Sequence, residues 1–593
     1  MQHSIDVNAL YARAEQAFAA GRLDDARRDL AEVERIAGDH PAVLHLVALV
    51  EKKRGDLAAS RNAFERALAL APEDPQIANN LANLLGATGE PEAALERYRD
   101  ILRRSPAFAE ARYNMALLLE KMGRHEEALR ELDKLVAEAP AQAKAHSARG
   151  GLLYRLGRLD EAAYAYDRAL AIAPERPIAL HGRARVAMER GEQGASDHYR
   201  RALARNPADL ELRLGLAAAL EAEGSEEAIP LLARAVAENP AWVTGHAQLA
   251  RMRSEAGEED FARSYEIALE QRPDDRALHA GHWRTLGAGG RYRAALDAIA
   301  RARAHIGEDE AMRITEAVFA SEAGDVGTAS RLFETLQSDS YELLLAQGRH
   351  ALRAGDAARA SKLLEKVVGR RSADIAAWAH LSLAWRLTDD RRHGWLCEQP
   401  GLYAPRDIGL GSDELAETAA LLRRLHRTRA HPIGQSLRGG TQTRGRLFWR
   451  REPEILRLRE AIAAALRDFV SALPPRDESH PLLRHRDLRF DFEGSWSVRL
   501  KDAGFHVQHI HPEGILSSAC YIALPESLGG EEDRAGWLEI GAPPAELGLD
   551  LPPLASIEPA PGRLALFPSY MFHGTRPFAE GERLTVAFDL VAR

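Results

Sequence analysis

The sequence predicts a multidomain α + β protein, with an N-terminal α-solenoid followed by a C-terminal β domain and its flanking helices. Two observations predict it. A glycine returns at a fixed interval over the first two-thirds of the 593 residues. From residue 488 onward the apolar pattern changes from helical spacing to alternation, the period of a strand.

The repeat comes first. Gly21, Gly55, Gly89, Gly123, Gly157, Gly191, Gly224, Gly257, Gly290 and Gly324 stand 33 or 34 residues apart, and Gly355 follows after 31. A second series runs out of phase with them: Pro72, Pro106, Pro140, Pro174, Pro207, Pro240 and Pro273. Five residues beyond most of the glycines lies a small side chain, such as Ala26, Ser60, Ala94 or Ala128. That is a helix hairpin written repeatedly. The glycine ends the first helix, the small residue lets the second approach closely, and the proline closes the unit. One hairpin cannot cover its own apolar face, so neighbours must stack. These units resemble tetratricopeptide repeats, over roughly residues 8–370 and about eleven hairpins. The resemblance implies a superhelix whose groove holds a protein or peptide partner.

A final helix pair runs through IAAWAHLSLAWRLTDD (375–390), so the solenoid is expected to occupy residues 1–390. Residues 391–413, rich in glycine and proline, read as a linker, and residues 414–593 as the second domain. Helical spacing returns in ELAETAALLRRLHRT (414–428) and PEILRLREAIAAALRDFVSAL (453–473). Between them, HPIGQSLRGGTQTRGRLF (431–448) is polar and reads as either a connector or a lid over a pocket. Five β-type runs follow between turn residues: SWSVRL (495–500), ILSSACYIALP (515–525), GWLEI (536–540), GRLALFP (562–568) and RLTVAFDLV (583–591). Strands without intervening helices imply an antiparallel sandwich or barrel.

Composition narrows the function. The formal charge of −9, from 79 basic and 88 acidic residues, offers no footprint for nucleic acid. Cys397 and Cys520, the only cysteines, are too few for a disulfide framework and suit a reducing compartment. With no signal-peptide pattern and no apolar run of membrane length, a cytoplasmic protein that engages no membrane is expected. The chain has neither a phosphate-binding loop nor a nucleophile elbow.

The chemistry gathers in HIHPEG (509–514). Residues two apart on a strand share a face, so His509 and His511, or His511 and Glu513, stand side by side. His573 follows in FPSYMFHGTRPF (567–578), and Arg583 and Thr585 open the last run on one common face. With these residues the domain resembles the Fe(II)- and 2-oxoglutarate-dependent oxygenases, most closely members carrying an H-x-H-P motif. It is more distantly similar to the prolyl-hydroxylase-like branch. The resemblance covers about residues 485–593 and implies a double-stranded β-helix, or jelly roll. It also implies Fe(II), 2-oxoglutarate as co-substrate and ascorbate as an accessory reductant.

Non-haem iron needs three protein ligands on one face, leaving positions open for a bidentate oxoacid and O₂. Two ligand sets compete: His509, His511 and His573, or His511, Glu513 and His573. The second restores the commoner pair of histidines with one carboxylate, but Pro512 falls within its first pair. The first matches the H-x-H-P relatives and is preferred. His506 is a further, weaker candidate. The resemblance assigns the far carboxylate of 2-oxoglutarate to Arg583, with help from Thr585 and Tyr521. The expected function is a dioxygenase that hydroxylates a protein or peptide side chain presented by the repeat groove, His509, His511, His573 and Arg583 being its catalytic residues. Its rivals are a catalytically silent scaffold, a small-molecule oxygenase that uses the repeats for assembly, and a three-histidine cupin dioxygenase that needs no 2-oxoglutarate.

Overall fold

The computed structural model describes residues 6–526 and 528–593. Among them, twenty-two helices from Val7 to Arg370 form eleven hairpins, and a twelfth pair, Ile375–Leu387 and Arg392–Cys397, follows. The repeat glycines work as the sequence predicts, all eleven at positive φ. Gly55 is typical. At φ 88° it caps the helix Pro41–Arg54, and its N–H reaches back to the carbonyls of Glu51 and Lys52. The small residues after the glycines are sealed in the hairpin cores, with Ala26, Ser60, Ala94, Ala128 and Ala162 fully buried.

The repeat prolines do more than stop a helix. At five of the seven, the residue six positions after the proline donates a side-chain hydrogen bond to its carbonyl: Arg112 to Pro106 (2.9 Å), His146 to Pro140 (3.0 Å), Arg213 to Pro207 (3.1 Å), His246 to Pro240 (3.0 Å) and His279 to Pro273 (2.7 Å). Each bond ties the end of one unit to the first helix of the next and satisfies a carbonyl that a terminated helix leaves open.

The described chain divides into two compact units. One comprises residues up to Ala187 with Ala204–Asn206, and the other Met188–Leu203 with Pro207–Arg593. The first is repeat hairpins alone. The second joins the later repeats to the β domain through one continuous core, in which Leu352, Leu364, Trp378 and Leu381 of the helices share a cluster with Phe567, Phe572, Val586 and Phe588. No described helix is long and apolar enough to cross a membrane.

The β domain has nine strands among the described residues: β1 (Ala404–Asp407), β2 (Leu437–Gln442), β3 (Phe490–His506), β4 (Leu516–Ala523), β5 (Leu538–Ile540), β6 (Ala555–Ile557), β7 (Arg563–Pro568), β8 (His573–Thr575) and β9 (Glu582–Ala592). They form an antiparallel six-stranded sheet, β1-β7-β4-β9-β3-β2, and a three-stranded sheet, β6-β5-β8. An isolated bridge between His509 and His573 extends the smaller sheet. After β3 the chain crosses to the small sheet at His509, returns for β4, crosses for β5 and β6, returns for β7, crosses for β8 and ends on β9. That alternation is the connectivity of a double-stranded β-helix.

The strand β9 shows how the sequence sorts its two faces. Leu584, Val586, Phe588 and Leu590 are fully buried, and they share a core with Leu422 of the helix Ser412–Leu425 and with Ile455, Leu458, Ile462 and Phe469 of the helix Pro453–Ser471. Arg583, Thr585, Ala587 and Asp589 take the other face, toward the small sheet.

Two expectations need correcting. Residues 391–413 are not a free linker, because they supply the last helix and β1, whose Ala404 pairs with Leu566 at the edge of the large sheet. Residues 431–448 are not a loose connector: they contain β2, which pairs Leu437 with His506. Glycines and prolines mask both segments from a periodicity test.

Candidate metal centre

His509 and His573 are held face to face by two main-chain hydrogen bonds across their bridge, His509 N to His573 O (2.9 Å) and His573 N to His509 O (3.0 Å). His511, two residues on, returns to the same face before Pro512 ends the bridged segment. The three ring centroids lie 4.1 to 5.1 Å apart, and one nitrogen from each ring falls within 4.8 Å of the other two.

Each ring is locked through its outer nitrogen. His509 Nδ1 donates to Val507 O (2.9 Å), His573 Nδ1 donates to Met571 O (3.0 Å), and His511 Nδ1 meets Asp589 Oδ1. Donation from Nδ1 leaves Nε2 as a bare acceptor. Burial lowers the pKa of His509 to about 3 and that of His573 well below its ordinary value. Yet His509 Nε2 and His511 Nε2 lie 3.1 Å apart. At that distance a proton or a metal ion stands between the two nitrogens. The donor set therefore fits a divalent metal bound by neutral imidazoles.

A cavity leads inward from the histidines. Its lining includes His506, His509, His511, His573, Arg583 and Thr585, with Gln435 and Ser436 of the 431–448 segment. Arg583 is fully buried on β9, opposite Leu500 of β3. Its Nη1 donates to Gly536 O (2.8 Å) and its Nη2 approaches the Tyr521 hydroxyl at 3.5 Å, while its Nε has no partner. Burial lowers the pKa of this guanidinium. A buried cation with a spare donor, facing a cavity, fits a carboxylate ligand. Tyr521 stacks behind the guanidinium, 5.0 Å from ring centroid to Cζ, rather than lining the cavity.

Other candidates are separated from this cluster. Glu513 is solvent-exposed and outside the converging group. His506 stacks on His509 at 5.6 Å, and its Nδ1 pairs with Ser436 Oγ (2.9 Å). Arg444, in the polar segment 431–448, forms ion pairs with Glu221 and Glu255 on repeat helices. Sequence reasoning missed Asp589. Its signal was present: the one acidic residue in the run RLTVAFDLV, in phase with Arg583 and Thr585.

Outside the histidines lies an open cleft of about 610 Å³, walled on one side by His509, His511, Pro512 and Trp496 and on the other by repeat residues Ser254, Ala288–Gly290 and Tyr292. The strap 427–436 sets these walls. Arg427 donates to Glu223 O (3.3 Å), Arg429 N and Ala430 N both donate to Glu255 O (3.1 and 3.0 Å), and Gly434 lies against Ala288. Glu223, Glu255 and Ala288 are the last residues of the first helices of three successive repeats. Helix C-termini leave carbonyls without internal donors, and the strap supplies donors to two of the three. Its far end reaches the ligand segment, where Val507 N donates to Ser436 O (3.0 Å).

Residues 494–589 match a family described as "Putative 2OG-Fe(II) oxygenase". Residues 48–107, 79–128 and 113–177 match a tetratricopeptide repeat family. No curated protein sequence matches the chain. Solved structures with similarity include MamA from Desulfovibrio magneticus RS-1, 19% identical over 29% of this chain and 98% of that one, with a TM-score of 0.27. Others are the pilF protein of Pseudomonas aeruginosa (17% identity, 35% and 95% coverage, TM-score 0.32) and yeast Tom70 (14%, 65% and 96%, TM-score 0.33). The 2OG-Fe(II) oxygenase family implies iron and 2-oxoglutarate, and its match spans the converging histidines and the buried arginine. The chain thus carries tetratricopeptide repeats in its N-terminal part and a domain of the 2OG-Fe(II) oxygenase family at its C-terminal end.

Proposed function

We propose that the protein is an Fe(II)- and 2-oxoglutarate-dependent dioxygenase that hydroxylates a side chain of a protein or peptide brought to it by the repeats. One observation carries this reading: three converging imidazoles and a fully buried arginine with an unpaired donor line the same cavity. His509, His511 and His573 would hold the iron, and Arg583, with Thr585 beside it and Tyr521 behind it, would receive the far carboxylate of 2-oxoglutarate. When bound, the iron would supply O₂ activation coupled to decarboxylation of the oxoacid to succinate.

The chain's own part is positioning and protection. Burial lowers the pKa of His509 and His573, and the Nδ1 hydrogen bonds of all three rings fix their orientation. Arg583 neutralises a carboxylate where water cannot, and its planar fork sets the orientation of the oxoacid. Trp496 lines both the inner cavity and the outer cleft and so stands where substrate meets the reacting face. The cleft has the volume of an ordinary ligand site, and its second wall of repeat residues supports a polypeptide substrate over a free metabolite. The free, buried thiols of Cys397 and Cys520 are in keeping with a cytoplasmic setting.

The test is direct. Anaerobic addition of Fe(II) and 2-oxoglutarate should give a visible charge-transfer band, and admission of O₂ should then release succinate. Both signals should vanish in His573→Ala. A wild type indistinguishable from that variant would leave a scaffold.

A further inference from the structure

Of the three converging imidazoles, one alone is held by a charged group. His509 and His573 donate to main-chain carbonyls, whereas His511 meets the carboxylate of Asp589. A carbonyl fixes a ring. A carboxylate also brings a negative charge and makes the ring a stronger donor to a metal. The difference matters because three neutral imidazoles bring no charge to a divalent ion, while the two-histidine, one-carboxylate face brings one.

We infer that Asp589 is the positioning residue that restores this missing charge, one atom shell out, by acting through His511. The inference rests on the metal-site reading above. Asp589 is held for such a task. It lies opposite Ser517 in the β4–β9 register, and Ser517 Oγ donates to its Oδ1 (3.1 Å) while pairing with Ser569 Oγ (2.8 Å). Space for it depends on Gly514, where a Cβ would come within 3.0 Å of the Asp589 Cβ. Its side chain is 14% exposed. The nearby acids are otherwise disposed: Glu513 is exposed, and Glu539 pairs with Arg576 at 2.6 Å. Asp589 is not itself in the converging group, so its route to a metal runs through the imidazole. The carboxylate of the commoner ligand set is thereby relocated to the strand that also carries Arg583.

The experiment is a Co(II) titration of the full-length chain, read by the d–d absorption bands of the bound ion, in wild type, Asp589→Asn, Asp589→Ala and Ser517→Ala. Asparagine keeps an acceptor for Nδ1 and removes only the charge. Co(II) binding should weaken about 10- to 100-fold in Asp589→Asn, with the apo-protein unfolding at the wild-type temperature. Asp589→Ala, which also frees the ring, should lose at least as much and change the band envelope. Ser517→Ala keeps the charge, so its affinity should stay within about threefold of wild type. Wild-type affinity in both Asp589 variants, or an equal loss in Ser517→Ala, would overturn the inference while leaving the metal site standing. A wild type that binds no Co(II) would instead remove the metal site, and this inference with it.

Discussion

Arg583 is the residue whose environment makes least sense without a ligand. It is wholly buried, and among the described residues it makes no ion pair and has an unpartnered Nε. An isolated buried charge is destabilising, so replacing it with an apolar side chain of similar length should not harm the empty protein. We expect Arg583→Met to keep or raise the apo melting temperature. The same change should raise the KM for 2-oxoglutarate at least ~30-fold, the effect of about 2 kcal/mol for truncating one partner of a buried pair. Co(II) affinity should be unchanged, and 2-oxoglutarate should raise the melting temperature of wild type alone. Arg583, Thr585 and the three histidines stood out as candidates through the family resemblance, and the fold brings all five to the lining of one cavity. Asp589 was harder to find: its meaning depends on a ring 78 residues away in the chain, and periodicity shows only its phase on β9.

Among the elements, long periodic segments were readable and most short ones were not, β5 within GWLEI (536–540) being the exception. The repeat helices announced themselves through glycine spacing, and β3, β4, β7 and β9 through alternation. The three-residue strands β6 and β8 are too short to show a period, and β1 and β2 owe their form to partners rather than to their own residues. The helix Ile375–Leu387 is a case where packing adds a property that no pattern predicts. Its His380 sits edge-on to Phe572, with centroids 5.3 Å apart, and donates from Nδ1 to Ala376 O (2.7 Å). Burial, with Arg349 nearby, lowers its pKa to about 3. The folded form therefore holds the neutral ring, while the unfolded chain takes up a proton near pH 6.5. Stability is fully present above pH 6.5 and is lost as pH falls from there toward 3, by ~1.4 kcal/mol per pH unit from this group. In His380→Leu that share of the acid sensitivity should disappear. Urea unfolding of both proteins at pH 7 and pH 5 measures it: the variant should lose less stability between the two than wild type does.

At the scale of the whole molecule, what matters is that the later repeats and the β domain share a core and a cleft. Each half was legible alone. Their junction was not, because it rests on contacts between residues some two hundred positions apart, such as Arg427 with Glu223 and Arg444 with Glu221. The junction changes what the repeats are expected to do. A solenoid joined by a loose tether would only raise local substrate concentration, whereas here residues of the repeats themselves wall the approach to the histidines. Tyr292, at the start of the helix Tyr292–Ile306, is the large side chain on that wall. If a polypeptide substrate lies in the cleft, removing this ring should act on its binding and not on the chemistry. Tyr292→Ala should raise the KM for a protein substrate about tenfold, typical of an aromatic anchor lost from an interface. Succinate formation without substrate, and Co(II) affinity, should stay at wild-type levels. Tyr292→Phe keeps the ring and its packing against Phe319 (6.0 Å between centroids) and should behave as wild type. An alanine variant that turns over protein substrate normally would move recognition away from this wall, to other repeat surfaces or to the barrel rim.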